Sequence, residues 1–256
     1  RSGSFNISTA VAFVAAGAGV SVAKHGNRSA TSKCGSADVL EALGVNIELS
    51  PGQVGQCIDE IGIGFLFARA LHGAMKQLAA PRVELRFPTV FNLLGPLTNP
   101  ADADGQIVGV FDTYRVADLA NALTNLGTRH AFVVAGSDGL DEITLSGPTF
   151  IAESKSGKVR CYEISPKELG FGTADSRAMK GGEAAENAHI LRSILEGETG
   201  PRRDIVLANA AAALQAGDAA DSWSSGLALA RESIDSGAAN SKLNQLIALS
   251  SGWKQP

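Results

Sequence analysis

Three groups of residues in this sequence are of types and spacings that could do chemistry together. The first is Lys24-His25-Gly26-Asn27-Arg28-Ser29-Ala30-Thr31-Ser32-Lys33, followed by Cys34-Gly35-Ser36-Ala37-Asp38. It combines cations, hydroxyls, an amide and small residues, and it ends where an apolar helix begins. Free N–H groups at a helix start, the helix dipole and a nearby Lys24 or Arg28 would together bind an anion. A solvated basic loop with a serine N-cap is the plainer alternative. The second group is Ser4-Phe5-Asn6-Ile7-Ser8-Thr9, which opens a small-residue helix ending at Gly17. Asn6, Ser8 and Thr9 could simply cap that helix, and taken alone this is the favoured reading. Beside the Lys24 run they become half of a phosphate cradle. The third group is Ser137-Asp138-Gly139-Leu140-Asp141-Glu142. Adjacent carboxylates at a strand end suit Mg²⁺, a hard cation that takes oxygen ligands and substrate phosphates. The Asp-Gly pair equally suits an ordinary turn.

These groups need elements to bring them together. Val20-Ser21-Val22 reads as a buried strand leading into a polar loop, with a helix over Ala37–Leu43 stopped by Gly44. Asn46–Leu49 reads as a further strand, and Ser50-Pro51 as a helix start with a serine cap and proline in the first turn. Strands are expected at Ile63–Phe67, Gln106–Phe111 and His130–Gly136, with helices at Ala70–Leu78 and Val116–Leu126. Residues 148 to 163 read as short β segments turning at Lys155-Ser156-Gly157-Lys158. Helical patterns follow at Glu183–Leu195, Asp204–Ala216, Asp221–Ser236 and Ser241–Ser250, and Trp253 reads as a packing anchor. The small run Asn209–Leu214 suits close helix packing. This alternation predicts an α/β fold: a largely parallel central sheet flanked by helices, with a helical C-terminal part. Ligands then sit beyond the carboxyl ends of the strands.

Bulk properties agree. The 256 residues suffice for one large core, and a formal charge of −4 argues against a general nucleic-acid binder. No run approaches a membrane-spanning length, and no signal peptide is seen. Cys34, Cys57 and Cys161 show neither metal nor pairing pattern and read as reduced thiols of a cytoplasmic protein. Arg82 and Arg86 could fork a carboxylate or form surface ion pairs. No pair of residues reads as an activated nucleophile with its base. Binding groups of this kind can instead lower a barrier by positioning and by stabilising charge on a leaving group.

Phe5-Asn6-Ile7-Ser8-Thr9, Lys24-His25-Gly26-Asn27-Arg28 and Gly35-Ser36-Ala37-Asp38-Val39-Leu40-Glu41 resemble the corresponding stretches of the anthranilate phosphoribosyltransferases. So do Phe91-Asn92-Leu93-Leu94-Gly95-Pro96-Leu97-Thr98-Asn99-Pro100, Asp138-Gly139-Leu140-Asp141-Glu142-Ile143 and Glu186-Asn187-Ala188. The resemblance covers essentially the whole chain in order. It implies a nucleoside phosphorylase/phosphoribosyltransferase-like fold, with residues 1–256 forming a single catalytic domain. It implies transfer of phosphoribosyl from 5-phosphoribosyl 1-diphosphate to the amine of anthranilate, in tryptophan biosynthesis. Ser4, Asn6, Ile7, Ser8 and Thr9 would then hold the donor. Lys24, His25, Gly26, Asn27, Arg28, Ser29, Ala30, Thr31, Ser32 and Ser36 would wrap its phosphates. Asn27 and Arg82 would place anthranilate, Arg82 through its carboxylate; Arg86 has no counterpart. Ser8, Asp141 and Glu142 would carry two Mg²⁺ ions. No membrane or nucleic-acid partner is implied, and the full-length parent would be a homodimer. In the resembled family a helical domain and a Gly-Thr-Gly-Gly-Asp turn precede this point. The chain as given starts at Arg1-Ser2-Gly3, so it is expected to be N-terminally truncated relative to the family and slower than a full-length parent.

Two alternatives stand beside this reading. A pyrimidine-nucleoside phosphorylase would use inorganic phosphate and would not need the Asp141-Glu142 pair. A non-catalytic member of the family or an inactive fragment would bind without turnover.

Overall fold

The computed structural model describes residues 3–29, 33–71, 95 and 97–253. The chain opens with α1 (Ile7–Gly17), β1 (Val22–Gly26), α2 (Ser36–Ala42), α3 (Pro51–Ile61), β2 (Ile63–Phe67) and the single turn α4 (Ala68–Leu71). Then follow β3 (Gly105–Gly109), α5 (Val116–Asn125), β4 (His130–Gly136), β5 (Thr149–Lys155) and β6 (Lys158–Ile164). The helices α6 (Ala184–Leu195), α7 (Pro201–Ala216), α8 (Trp223–Asp235) and α9 (Ala238–Ser251) complete the chain.

Among the described residues the strands form two sheets. β1 pairs in parallel with β2, Lys24 opposite Phe65, and β3 pairs in parallel with β4. β5 and β6 extend the second sheet in antiparallel fashion, in the order β3-β4-β5-β6. The antiparallel part follows from local chemistry. Ser156 and Gly157 both adopt positive φ, +51° and +78°, in a two-residue turn that can only return the chain beside itself.

β4 explains the layering. Every residue from His130 to Gly136 is buried. Phe132 and Val134 join the large core, whereas Ala131, Val133 and Ala135 face a smaller cluster with Val116, Leu119 and Leu123 of α5. A strand apolar on both faces must be covered on both. On the large-core side, α7 is buried almost around its whole circumference, as a helix enclosed by its neighbours requires. It packs against α1 and α8. Gly226 of α8 lies so close to Ala211 that a Cβ would crowd its carbonyl, which bears out the expectation of close packing in this run. Trp253 packs against the same core.

Two expectations change. Asn46–Leu49 is not a strand. Val45, Ile47 and Leu49 are buried in alternation, but the Asn46 N–H is taken by Ser250 Oγ at 3.0 Å, so the extended segment docks on the end of α9. The strand near residue 22 begins and ends later than expected, so Lys24 and His25 are β1 residues in a ladder with β2, not loop residues. The Ser50 cap is as expected: its hydroxyl accepts from the Gln53 N–H, and the Gln53 side chain accepts from the Ser50 N–H at 2.8 Å. The helix expected over Ala70–Leu78 lies largely outside the described residues.

Candidate active site

At the carboxyl end of β1, the chain folds back on itself before α2. The Asn27 carbonyl accepts the Ala37 N–H at 3.2 Å, and a Cβ on Gly35 would collide with Asn27 and Ser29 backbone. Gly26 has the same function against Ser36, whose hydroxyl donates to the Asn27 carbonyl at 3.3 Å. The cap of α2 is Gly35, not a serine. Asp38, in the first turn, reaches back to accept from the Gly35 N–H at 2.8 Å and the Ser29 N–H at 3.1 Å. Burial opposes its charge, but these bonds and Arg28 hold it below the usual carboxylate range. Arg28 pairs with Asp38 at 3.1 Å and with both oxygens of Glu41, and hydrogen bonding to Glu41 raises its pKa further. The guanidinium therefore braces the loop against α2 in this structure. Asn27 is exposed, with its Oδ1 accepting from the Arg28 N–H at 2.8 Å.

The start of α1 lies alongside. Ser4 bridges to Lys180, and the Phe5 N–H donates to the Met179 carbonyl at 3.0 Å. Among the described residues no side chain caps α1, which corrects the plain capping reading of Asn6. Asn6 instead bonds to Cys34 and Asn187. The Ile7 side chain is buried and its N–H donates to the Phe5 carbonyl at 2.8 Å. Thr9 is buried, and its hydroxyl has no hydrogen-bond partner among the described residues. Ser8 is exposed, and its N–H donates to the Glu142 carboxylate.

That last bond brings in the acidic turn after β4. Asp138 is the turn builder: its oxygens accept the Leu140 N–H at 3.2 Å and the Thr144 hydroxyl at 2.8 Å. Gly139 has φ +80°, a conformation that favours glycine. Asp141 and Glu142 are held from two sides. A Cβ on Gly109, at the end of β3, would overlap the Asp141 carbonyl. Asn209 of α7, fully buried, accepts the Ile143 N–H at 2.8 Å and donates to the Ile143 carbonyl at 2.9 Å. Burial and the neighbouring Asp141 charge push Glu142 up to about 8, against the pull of Lys24 and the Ser8 N–H. Burial lowers the Lys24 pKa, opposed by the charges of Glu142 and Asp141.

These residues fit a magnesium site. Asp141 and Glu142 offer hard oxygen donors crowded by like charge, beside an exposed hydroxyl at Ser8. Among the described residues no cluster of three or more His, Cys, Asp or Glu could cage a metal alone. Mg²⁺ typically takes one or two carboxylates and completes its shell with water and substrate phosphate.

The structure thus brings together Asn6, Ser8, Lys24, Asp141 and Glu142, with Gly26 at the end of β1, Asn27 and Ser29 on the adjoining loop, and Ser36 at the start of α2. Lys24 donates to the His25 carbonyl at 3.3 Å. Ala30, Thr31, Ser32 and Arg82 lie outside the described residues, as do residues 91–94 and 96. Asn99, in the same stretch, donates to the Ala23 carbonyl at 3.3 Å and so touches the strand that carries Lys24. Asn187, Asn209 and Gly109 are not singled out by their chemistry in the sequence. The available signal is an asparagine in an otherwise alanine-rich helix, which is costly to bury unless all its groups are bonded. Among the described residues the cysteines form no disulfide, and Cys34 and Cys57 are buried.

Residues 1–240 match the glycosyl transferase family, a/b domain. An anthranilate phosphoribosyltransferase of a Bradyrhizobium strain is 57% identical over 249 residues, spanning 97% of this chain and 74% of that protein. The chain belongs to the anthranilate phosphoribosyltransferase family. The crystal structure of the family member from Thermus thermophilus superposes with a TM-score of 0.92 at 48% identity, covering 97% of this chain and 74% of that one. The Saccharomyces cerevisiae member, solved in complex with PRPP and Mg, gives 0.89 at 29% identity, covering 98% and 70%. Family membership accounts for the shared order of motifs and for the mixed α/β architecture. Among the described residues, no helix is long and apolar enough to cross a membrane.

Proposed function

We propose that this chain transfers the phosphoribosyl group of 5-phosphoribosyl 1-diphosphate to the amine of anthranilate, releasing diphosphate in tryptophan biosynthesis. The observation that carries this reading is the convergence of Lys24 of β1, the Ser8 N–H at the start of α1 and the Asp141–Glu142 pair in the turn after β4. The family's named activity and the PRPP and Mg of the yeast structure support it.

In this reading the start of α1 (Ser4, Asn6, Ile7, Ser8, Thr9) and the stretch Lys24–Ser32 with Ser36 hold the donor. Ile7 takes part through its backbone, since its side chain is buried. Asp141, Glu142 and Ser8 hold two Mg²⁺ ions. Bound Mg²⁺ neutralises charge on the departing diphosphate. Lys24 adds a fixed cation at the same place, and the partly buried setting strengthens it. Arg82 holds the anthranilate carboxylate, and Asn27 helps to place the same substrate. The amine attacks C1′ as the bond from C1′ to the diphosphate oxygen breaks, and the displaced amine proton leaves to solvent or diphosphate. Residues 1–256 form the catalytic domain of a cytoplasmic enzyme that is homodimeric in its full-length form, with no nucleic-acid or membrane partner.

Loss of anthranilate fluorescence on adding donor and Mg²⁺, with formation of N-(5-phosphoribosyl)anthranilate, is the expected result. Phosphorolysis of uridine or thymidine in its place would establish the nucleoside phosphorylase alternative, which the adjacent carboxylates disfavour.

A further inference from the structure

Three hydrogen bonds run in series across the donor side of the site. The Gly182 N–H donates to Asn187 Oδ1 at 2.8 Å, Asn187 Nδ2 donates to Asn6 Oδ1 at 3.0 Å, and Asn6 Nδ2 donates to the Cys34 carbonyl at 3.4 Å. A side-chain amide is nearly symmetric in shape, so its orientation is set by its partners. Here both ends of the series are backbone groups of fixed sense, a donor at Gly182 and an acceptor at Cys34. Turning either amide over would face donor against donor, or acceptor against acceptor, at two of the three contacts. Asn187 is only 2% exposed, so water cannot take over the lost bonds. The position is also sterically prepared, because a Cβ on Gly181 would strike Asn187 Oδ1. The series links three segments: the loop before α6, the start of α1, and the loop before α2.

We propose that Asn187 is a positioning residue for donor binding, fixing the Asn6 amide so that its NH₂ group, not its carbonyl, serves the anionic donor. The inference rests on the donor-site reading above. One hydrogen of the Asn6 amide goes to Cys34 and the second remains for a phosphate or ribose oxygen. With the amide reversed, a carbonyl oxygen would meet the anion instead. Asn187→Asp tests this with little change of volume. It keeps an acceptor for the Gly182 N–H but offers Asn6 a second acceptor, which favours the reversed amide.

The measurement is the affinity of the full chain for Mg²⁺–phosphoribosyl diphosphate by calorimetry, with the KM for each substrate alongside. Asn187→Asp, Asn6→Ala and the double variant are compared with the unaltered chain. Asn187→Asp is expected to weaken donor binding about tenfold, the scale of one hydrogen bond to a charged group, and to move the anthranilate KM by less than about twofold. On the Asn6→Ala background the same change should have almost no further effect, because Asn187 acts through Asn6. An unchanged donor affinity in Asn187→Asp, or an equal loss with and without the Asn6 amide, overturns the proposal. If Asn6→Ala itself binds donor as tightly as the unaltered chain, the donor-site reading fails and the proposal with it. If only the Asn187 changes are silent, the donor-site reading stands alone. Should the buried carboxylate prevent folding, Asn187→Ala breaks the series without adding charge and is judged by the same non-additivity.

Discussion

The two ends of β4 treat buried ionisable groups in opposite ways. At the amino end, His130 is buried with Nε2 at 3.1 Å from Glu153 Oε1, while the Tyr162 hydroxyl donates to the other Glu153 oxygen at 3.2 Å. Hydrogen bonding to His130 holds Glu153 below the usual carboxylate range, against the effect of burial, with Tyr162 assisting. The His130 ring also lies 5.0 Å from that of Phe132, tilted by 40°, and Phe132 meets Trp223 edge-on at 5.7 Å. At the carboxyl end, Asp141 and Glu142 share one turn with Lys24 as the opposing charge, and Glu142 is pushed up to about 8. The paired end serves the fold. The crowded end is held by its surroundings in a state that a bound cation would relieve, and such groups in a cleft mark functional sites.

The largest effect expected is at the crowded end. Changing Asp141 to Asn and Glu142 to Gln together should lower kcat/KM at saturating Mg²⁺ by about three orders of magnitude, equivalent to the several kcal/mol a metal site supplies. Circular dichroism should show the fold intact, and turnover near that of the unaltered chain would exclude a metal role for the pair. Gly109→Ala comes next. Its Cβ would displace the Asp141 carbonyl, and a misplacement of about 1 Å costs about a hundredfold in rate. That loss should appear in kcat with little change in the anthranilate KM, read in the steady-state assay. Asn209→Ala should be milder in activity. It leaves the Ile143 N–H and carbonyl without their side-chain partner, at about 1–3 kcal/mol of stability, and should raise the Mg²⁺ concentration for half-maximal rate about tenfold. A thermal melt and a Mg²⁺ titration separate the two effects, and an unchanged Mg²⁺ requirement would leave Asn209 a packing residue only.

The smallest effect on activity is at the paired end. Glu153→Gln should leave turnover within about twofold yet lower stability at neutral pH by about 1 kcal/mol, one net hydrogen bond. The pH dependence follows from the direction of the Glu153 shift. A carboxylate depressed in the folded state stabilises above its unfolded pKa, and that contribution disappears as pH falls through the folded pKa. The unaltered chain should therefore lose stability more steeply than Glu153→Gln in the acid range below the ordinary glutamate value. Parallel melting curves of the two proteins against pH would contradict this.

The sequence makes some of this architecture legible and not the rest, for physical reasons. His130–Gly136 is a continuous apolar run of strand length, and the structure places β4 on those seven residues. The Ser50-Pro51-Gly52-Gln53 start carries its own capping chemistry and folds accordingly. The three chemical groups are visible because polar and charged residues concentrate where elements begin and end: before α1, between β1 and α2, and between β4 and β5. β1 is harder to place because Lys24-His25-Gly26 lacks the apolar residues of a buried strand, and its ladder depends on β2, on the far side of two intervening helices. Asn46–Leu49 shows the converse: alternating burial resembles a strand, but the backbone partner is a helix end. The functions of Asn187 and Asn209 are tertiary. Each asparagine looks like a neutral helix residue until the loop it holds is in place.

In the proposed site, the turn after β4 that carries Asp141 and Glu142 holds the metal–diphosphate of the donor. Calorimetric titration of phosphoribosyl diphosphate into the unaltered chain and into Asp141→Asn/Glu142→Gln, each with and without Mg²⁺, tests it most directly. Mg²⁺ is expected to tighten donor binding about tenfold or more in the unaltered chain and to leave it unchanged in the variant. An equal Mg²⁺ effect in both proteins would contradict it.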